Sequence, residues 1–244
     1  MRNLLLTLRY DGSRYHGWQI QPNGDTVQQR LCDAFFKISG KNENIIGCSR
    51  TDAGVHANMF CCNVRTDCTV DAEKMPDALN FYLPSDIAVY GCTEADYDFH
   101  ARYDCKGKEY VYLIYNGRYR NPFYENKALF YPYEIDASML DNEAKSFIGK
   151  HDFSAFCSAG SEVKDKVREI YNFSVERKDD IIEMKVSGNG FLYNMVRIMA
   201  GTLLDVQQGK IEKGEIPRII ESFDRNNAGS TVNGCGLYLN KVFY

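Results

Sequence analysis

Residues 50–57, Arg-Thr-Asp-Ala-Gly-Val-His-Ala, hold the group best placed to do chemistry. A single carboxylate, Asp52, stands in a tight loop of small residues, with the Arg50 guanidinium two positions before it. Ile45 and Ile46 approach this loop like the end of a buried strand, and Met59 to Val64 leave it like the start of another. A strand-loop-strand with Asp at its tip is a rigid mount for one reactive oxygen, as a carboxylate nucleophile needs. Asp before Ala-Gly is also ordinary turn chemistry, an Asx-turn with no catalytic consequence.

Arg197 is the next candidate. It lies in a run, Phe191 to Leu204, whose apolar residues cover most of a helical circumference, so a buried helix is expected over 191–206. A guanidinium cannot shed its charge, and a buried one needs an anionic partner. The alternative is a stem packed on apolar surface with its head in water. If the charge is buried, Asp52 is the best partner, and pairing would hold that carboxylate ionised and oriented.

Two further features have both a functional and an ordinary reading. Arg14, His16, Trp18, Gln19 and Gln21 share the loop 11–25 and mix aromatic planes, hydrogen-bonding groups and positive charge. That mixture suits an RNA stem-loop, and it equally suits a loop ordered by its own aromatics. Tyr110 begins an alternating strand, where a tyrosine serves as a half-buried sheet aromatic or as a stacking plane with a phenol for proton transfer.

The elements that must position these groups can be read from periodicity. Strands are expected at 4–10, 45–48, 59–65, 86–93, 108–115, 168–177, 181–186 and 236–243. A helix should begin after Thr26, where Thr26 and Gln29 form a capping-box pattern, carry Val27, Leu31, Ala34, Phe35 and Ile38 on one face, and end at Gly40. Further helices are expected at 71–83, 138–148 and 216–223, and Gly188-Asn189-Gly190 reads as a turn. The pattern restarts near residue 104. The class is therefore α+β, with an N-terminal lobe over 1–104 carrying the Asp52 loop and a C-terminal lobe over 105–244 carrying Tyr110 and Arg197. No Pro- or Ser-rich linker separates them, and such lobes commonly share a sheet or a tight interface with a cleft.

Composition narrows the function classes. The 244 residues are 44% hydrophobic, which excludes a disordered chain and provides for a substantial core. No apolar run is long enough to span a bilayer, and the start is too short and too soon charged for a signal peptide, so no membrane partner and a cytoplasmic location are expected. Nine cysteines without a C-x-x-C pair point to reduced, buried thiols, and four dispersed histidines give no metal pattern. A net charge of −4 argues mildly against a nucleic-acid binder, although a locally basic cleft can attract phosphate on an acidic chain.

Taken in order, several blocks resemble the TruA family of tRNA pseudouridine synthases. They include Tyr10-Asp11-Gly12 with Tyr15 to Gln19, Thr26-Val27-Gln28, residues 50–57, Ala78-Leu79-Asn80 with Leu83-Pro84, and Phe99 to Arg102 with Lys108-Glu109-Tyr110. His151 to Phe156, Phe191-Leu192 with Met195-Val196-Arg197, and Gly236-Leu237 complete the series. The resemblance implies the pseudouridine synthase fold: two similar lobes sharing a mixed, mainly antiparallel sheet with a central cleft. It implies a homodimer without cofactor or metal that isomerises uridine to pseudouridine at positions 38–40 of the tRNA anticodon stem-loop. By motif match Asp52 is the nucleophile, Tyr110 lies against the target base, Arg197 pairs with Asp52, Leu237 packs in the uracil pocket, and Arg50 helps displace the target nucleotide. Arg14, His16 and Gln19 are the expected RNA contacts of the first loop. Ser49, where the family has Gly, and the loop 228–235 depart from the family pattern and bear on target position. A tRNA-binding paralogue with altered catalysis and a different target is the alternative.

Overall fold

The computed structural model describes residues 1–161 and 163–244. In chain order its elements are β1 (Arg2–Tyr10), α1 (Val27–Ser39), β2 (Ile45–Gly47), β3 (His56–Thr66), α2 (Met75–Tyr82), β4 (Ile87–Ala95), β5 (Gly107–Tyr115), β6 (Leu129–Phe130), α3 (Ala137–Ala144), β7 (Gly149–Asp152), β8 (Val167–Lys178), β9 (Ile181–Gly188), α4 (Met195–Gln207), α5 (Ile216–Ser222) and β10 (Leu237–Phe243). The fold is α+β, with mainly antiparallel strand pairing. It comprises two compact units, Met1–Lys106 with Tyr238–Tyr244, and Gly107–Leu237.

In the first unit, β1 lies between β3 and β4 and is antiparallel to both. Period-two alternation puts Leu4, Leu6 and Leu8 on one face, all fully buried, opposite Val64, Cys62 and Phe60 of β3. β2 pairs antiparallel with β3, so the loop bearing Asp52 joins two adjacent strands. β10 lies parallel to β3 through Tyr238 opposite His56 and Leu239 opposite Ala57. α1 buries Val27, Leu31, Ala34 and Phe35 as its apolar stripe requires. Thr26 Oγ1 accepts from Gln29 N–H at 3.3 Å, and Gly40 ends the helix at φ 70°. Only half of the capping box forms, because the Gln29 side chain donates instead to Asp33 Oδ1 at 2.7 Å. The helix expected over 71–83 is divided: a 3-10 turn at Ala72–Lys74 precedes α2, which has Pro76 in its first turn.

The second unit orders its strands β5-β9-β8-β7, all antiparallel, with β6 parallel beside β5. β9 alternates half-buried and buried residues along its length, and Ile182, Met184 and Val186 form its inner face. α3 packs on β8, and α4 packs on α3 and β5.

Three local expectations need correction. The helix over 138–148 stops at Ala144, passes through a 3-10 turn to Phe147, and gives way to β7 at Gly149, whose φ of 113° only glycine adopts readily. The helix expected from Phe191 begins at Met195, because Asn194 sits at φ 60° and cannot continue a right-handed helix. Asn189 is more than a turn residue: its N–H donates to Glu169 O, and its Oδ1 accepts from Glu169 N–H, both at 3.0 Å.

No helix among the described residues is long and apolar enough to cross a membrane, and no His/Cys/Asp/Glu group among them could hold a metal. Burial pushes the Cys32, Cys61 and Cys92 thiols up to about 11, which suits packing rather than nucleophilic chemistry.

Candidate active site

The Asp52 loop is fixed by its backbone. Cys48 N–H donates to Cys61 O at 2.8 Å, and the chain then turns away from β2 before rejoining the sheet at His56. Thr51 is buried, with its Oγ1 2.8 Å from the Tyr10 hydroxyl and its carbonyl accepting from Trp18 N–H at 3.1 Å. Asp52 O accepts from Val55 N–H at 3.2 Å and closes the turn, while Gly54, at φ 74°, donates its N–H to Tyr15 O at 3.2 Å. The Asp52 side chain is half-buried.

The first loop braces the second. At Gly17 (φ 87°), a Cβ would lie 2.3 Å from Thr51 O; at Gly12, one would lie 1.9 Å from Val55 O. Both glycines are therefore required by close backbone approach. Gly12 N–H donates to His56 Nδ1 at 3.1 Å, and that nitrogen lies equally close to Asp11 Oδ1. His56 is buried and stacks on Tyr238 at 4.5 Å.

The aromatics of loop 11–25 mostly face inward. Trp18 is 1% exposed and stacks on Phe60 at 4.1 Å, so it is core rather than a plane for an RNA base. Tyr15 is buried and donates to Asp86 Oδ1 at 2.6 Å; burial first, then this hydrogen bond, pushes its hydroxyl up to about 12. Arg14, His16, Gln19 and Gln21 face outward. Arg14 Nε lies 2.9 Å from Asp86 Oδ2, Gln19 Nε2 donates to Gln28 Oε1 at 3.0 Å, and Gln21 Nε2 donates to His16 O at 2.6 Å. Arg50 is exposed.

Tyr110, Arg197 and Leu237 belong to the second unit. Tyr110 is buried in β5 and meets Phe191 edge-on, with ring centroids 5.1 Å apart. Arg197 is half-buried on the first turn of α4. Its Nε donates to Val232 O at 2.8 Å, and its Nη1 donates to Asn194 Oδ1 at 2.7 Å. Both of these acceptors are neutral and orient the guanidinium.

Loop 228–235, which supplies Val232, is itself anchored to α4. Gly229 N–H donates to Thr202 Oγ1 at 2.9 Å, and Ser230 N–H donates to Asp205 Oδ2 at 3.0 Å. A Cβ on Gly201 would stand 1.8 Å from Ser230 O, so helix and loop are in backbone contact. Tyr112 donates its hydroxyl to Asn233 O at 2.7 Å, and Leu237 follows, buried.

Chemically, the first unit offers a carboxylate on a braced turn, and the second offers an oriented permanent cation and, on β5, a buried phenol. Sequence reasoning missed Thr51, Tyr10 and Asn194, which hold these groups. Asn194 had no legible signal, since the apolar run continues on both sides of it and its side chain makes no helix cap. Thr51 and Tyr10 had none, because their contact depends on strand pairing.

A family model described as tRNA pseudouridine synthase matches residues 7–104 and 144–244. The matched segments include Asp52, Arg197 and Leu237, and Tyr110 lies between them. The tRNA pseudouridine synthase A of Caldicellulosiruptor saccharolyticus is 48% identical over 244 residues, covering 100% of both chains. The protein of the same name from Acetivibrio thermocellus is 46% identical, and the tRNA pseudouridine synthase A 2 of Clostridium perfringens is 43% identical, again over 100% of both chains. A family match over most of the chain, with end-to-end relatives at this identity, means that this chain belongs to the tRNA pseudouridine synthase family.

Proposed function

We propose that this chain is an isomerase that converts uridine to pseudouridine in tRNA, at positions 38–40 of the anticodon stem-loop, acting as a cytoplasmic homodimer without metal or cofactor. The reaction breaks the bond from ribose C1′ to N1, turns the uracil and joins C1′ to C5. The C5 proton leaves, and N1 gains one. Nothing is oxidised or hydrolysed overall, so the residues required are a carboxylate, a proton acceptor and a pocket for the base.

Asp52 is the carboxylate in this reading, and Arg197 is the cation that keeps it ionised. Tyr110 lies against the uracil and is a candidate to accept the C5 proton. Leu237 packs on the base. Arg50 helps draw the target nucleotide from its stack, at a cost of a few kcal/mol. Arg14, His16 and Gln19 contact the RNA from the first loop, where their outward side chains support the assignment. Phosphate contacts carry no base information, so choice of tRNA rests on shape.

The observation that carries this reading is the mount of Asp52: a turn braced by Thr51, Gly17 and Gly54 in a chain whose relatives are named for this reaction. Incubation with tRNA tritiated at uracil C5 tests it. Release of tritium to water from tRNAs with uridine at 38–40, lost when those uridines are replaced, is expected. No release from any tRNA would overturn the isomerase assignment, and release from other positions alone would overturn the target.

A further inference from the structure

We infer that Asn194 is a positioning residue for the reaction, because its side-chain carbonyl aims the Arg197 guanidinium. This rests on the role proposed above for Arg197. Asn194 occupies the left-handed region at φ 60°, ψ 8°, immediately before α4. Apart from glycine, Asn and Asp tolerate this conformation best. Its amide does not cap the helix: no side-chain cap bond forms there. Instead Oδ1 accepts from Arg197 Nη1 at 2.7 Å, while Nδ2 donates to Ser158 Oγ at 2.9 Å. The amide orientation is fixed by chemistry, because an arginine nitrogen is only a donor and must face the oxygen.

With Val232 O on Nε, the guanidinium is held from two sides by groups of one compact unit. Asn meets both demands of the site. Glycine would suit the backbone but removes the acceptor. Aspartate would keep an acceptor but set a second carboxylate on the cation, in competition with Asp52.

The test is a double-mutant cycle read by tritium release, with kcat and KM for tRNA measured separately. Asn194→Gly retains the left-handed backbone, so its melting temperature should stay close to that of the wild type. We expect its kcat to fall about tenfold, with KM for tRNA within about twofold, as misplacement of an oriented group predicts. In an Arg197→Ala background the same substitution should have no further effect. Wild-type kcat in Asn194→Gly, or an undiminished tenfold loss in the Arg197→Ala background, would overturn the positioning role while leaving Arg197 as proposed. Wild-type kcat in Arg197→Ala would overturn the role of Arg197 and that of Asn194 with it.

Discussion

Asp52 is held by bonds to the main chain on either side of it. Thr51 O receives the Trp18 N–H, Gly54 N–H reaches Tyr15 O, and Gly17 lets the two backbones approach. A single methyl at position 17 therefore acts on the carboxylate from a distance. Gly17→Ala should lower stability by roughly 1–3 kcal/mol through the positive φ and the overlap with Thr51 O. It should also lower kcat by about a hundredfold, because a displacement of about 1 Å in a reacting group has that effect. Thermal melting and single-turnover tritium release check both, and a wild-type rate would show that the brace does not act on Asp52. The presence of an Asp loop was legible in the sequence from its small residues and flanking strands. The inward face of Trp18 was not, because it depends on Phe60 of β3, which local sequence cannot bring beside it.

Elements whose ends are set by local chemistry were the most legible. α1 begins and ends as Thr26 and Gly40 require, and its buried stripe follows helical spacing. Thr26→Ala should remove the bond to Gln29 N–H and cost about 1 kcal/mol, a fall in Tm of roughly 2–4 °C for a chain of this size. Calorimetry checks this, and an unchanged Tm would show that the cap contributes nothing. α4 was read too long because the apolar pattern continues through Phe191 to Tyr193, and hydrophobic period carries no information about the sign of φ at Asn194. The parallel pairing of β10 with β3 was equally hidden: alternation identifies a strand but not its neighbour. β6, two residues long, is too short to carry any period.

For the whole molecule, pH stability and catalysis are the quantities to read. Tyr15 is held neutral by burial and by the bond it donates to Asp86, which pushes its hydroxyl from 10 up to about 12. Between those values the unfolded chain has lost a proton that the folded chain keeps, so stability present below pH 10 is lost as pH rises towards about 12. Tyr15→Phe should flatten that part of the denaturation profile, and an unchanged slope would contradict the assignment. The proposed catalyst is one carboxylate in a chain whose family match runs end to end. Its most direct test is tritium release by Asp52→Asn, with tRNA affinity measured on the same preparation. Turnover should fall by at least about a thousandfold, with Kd for tRNA nearly unchanged; turnover within about tenfold of the wild type would rule out the proposed role of Asp52.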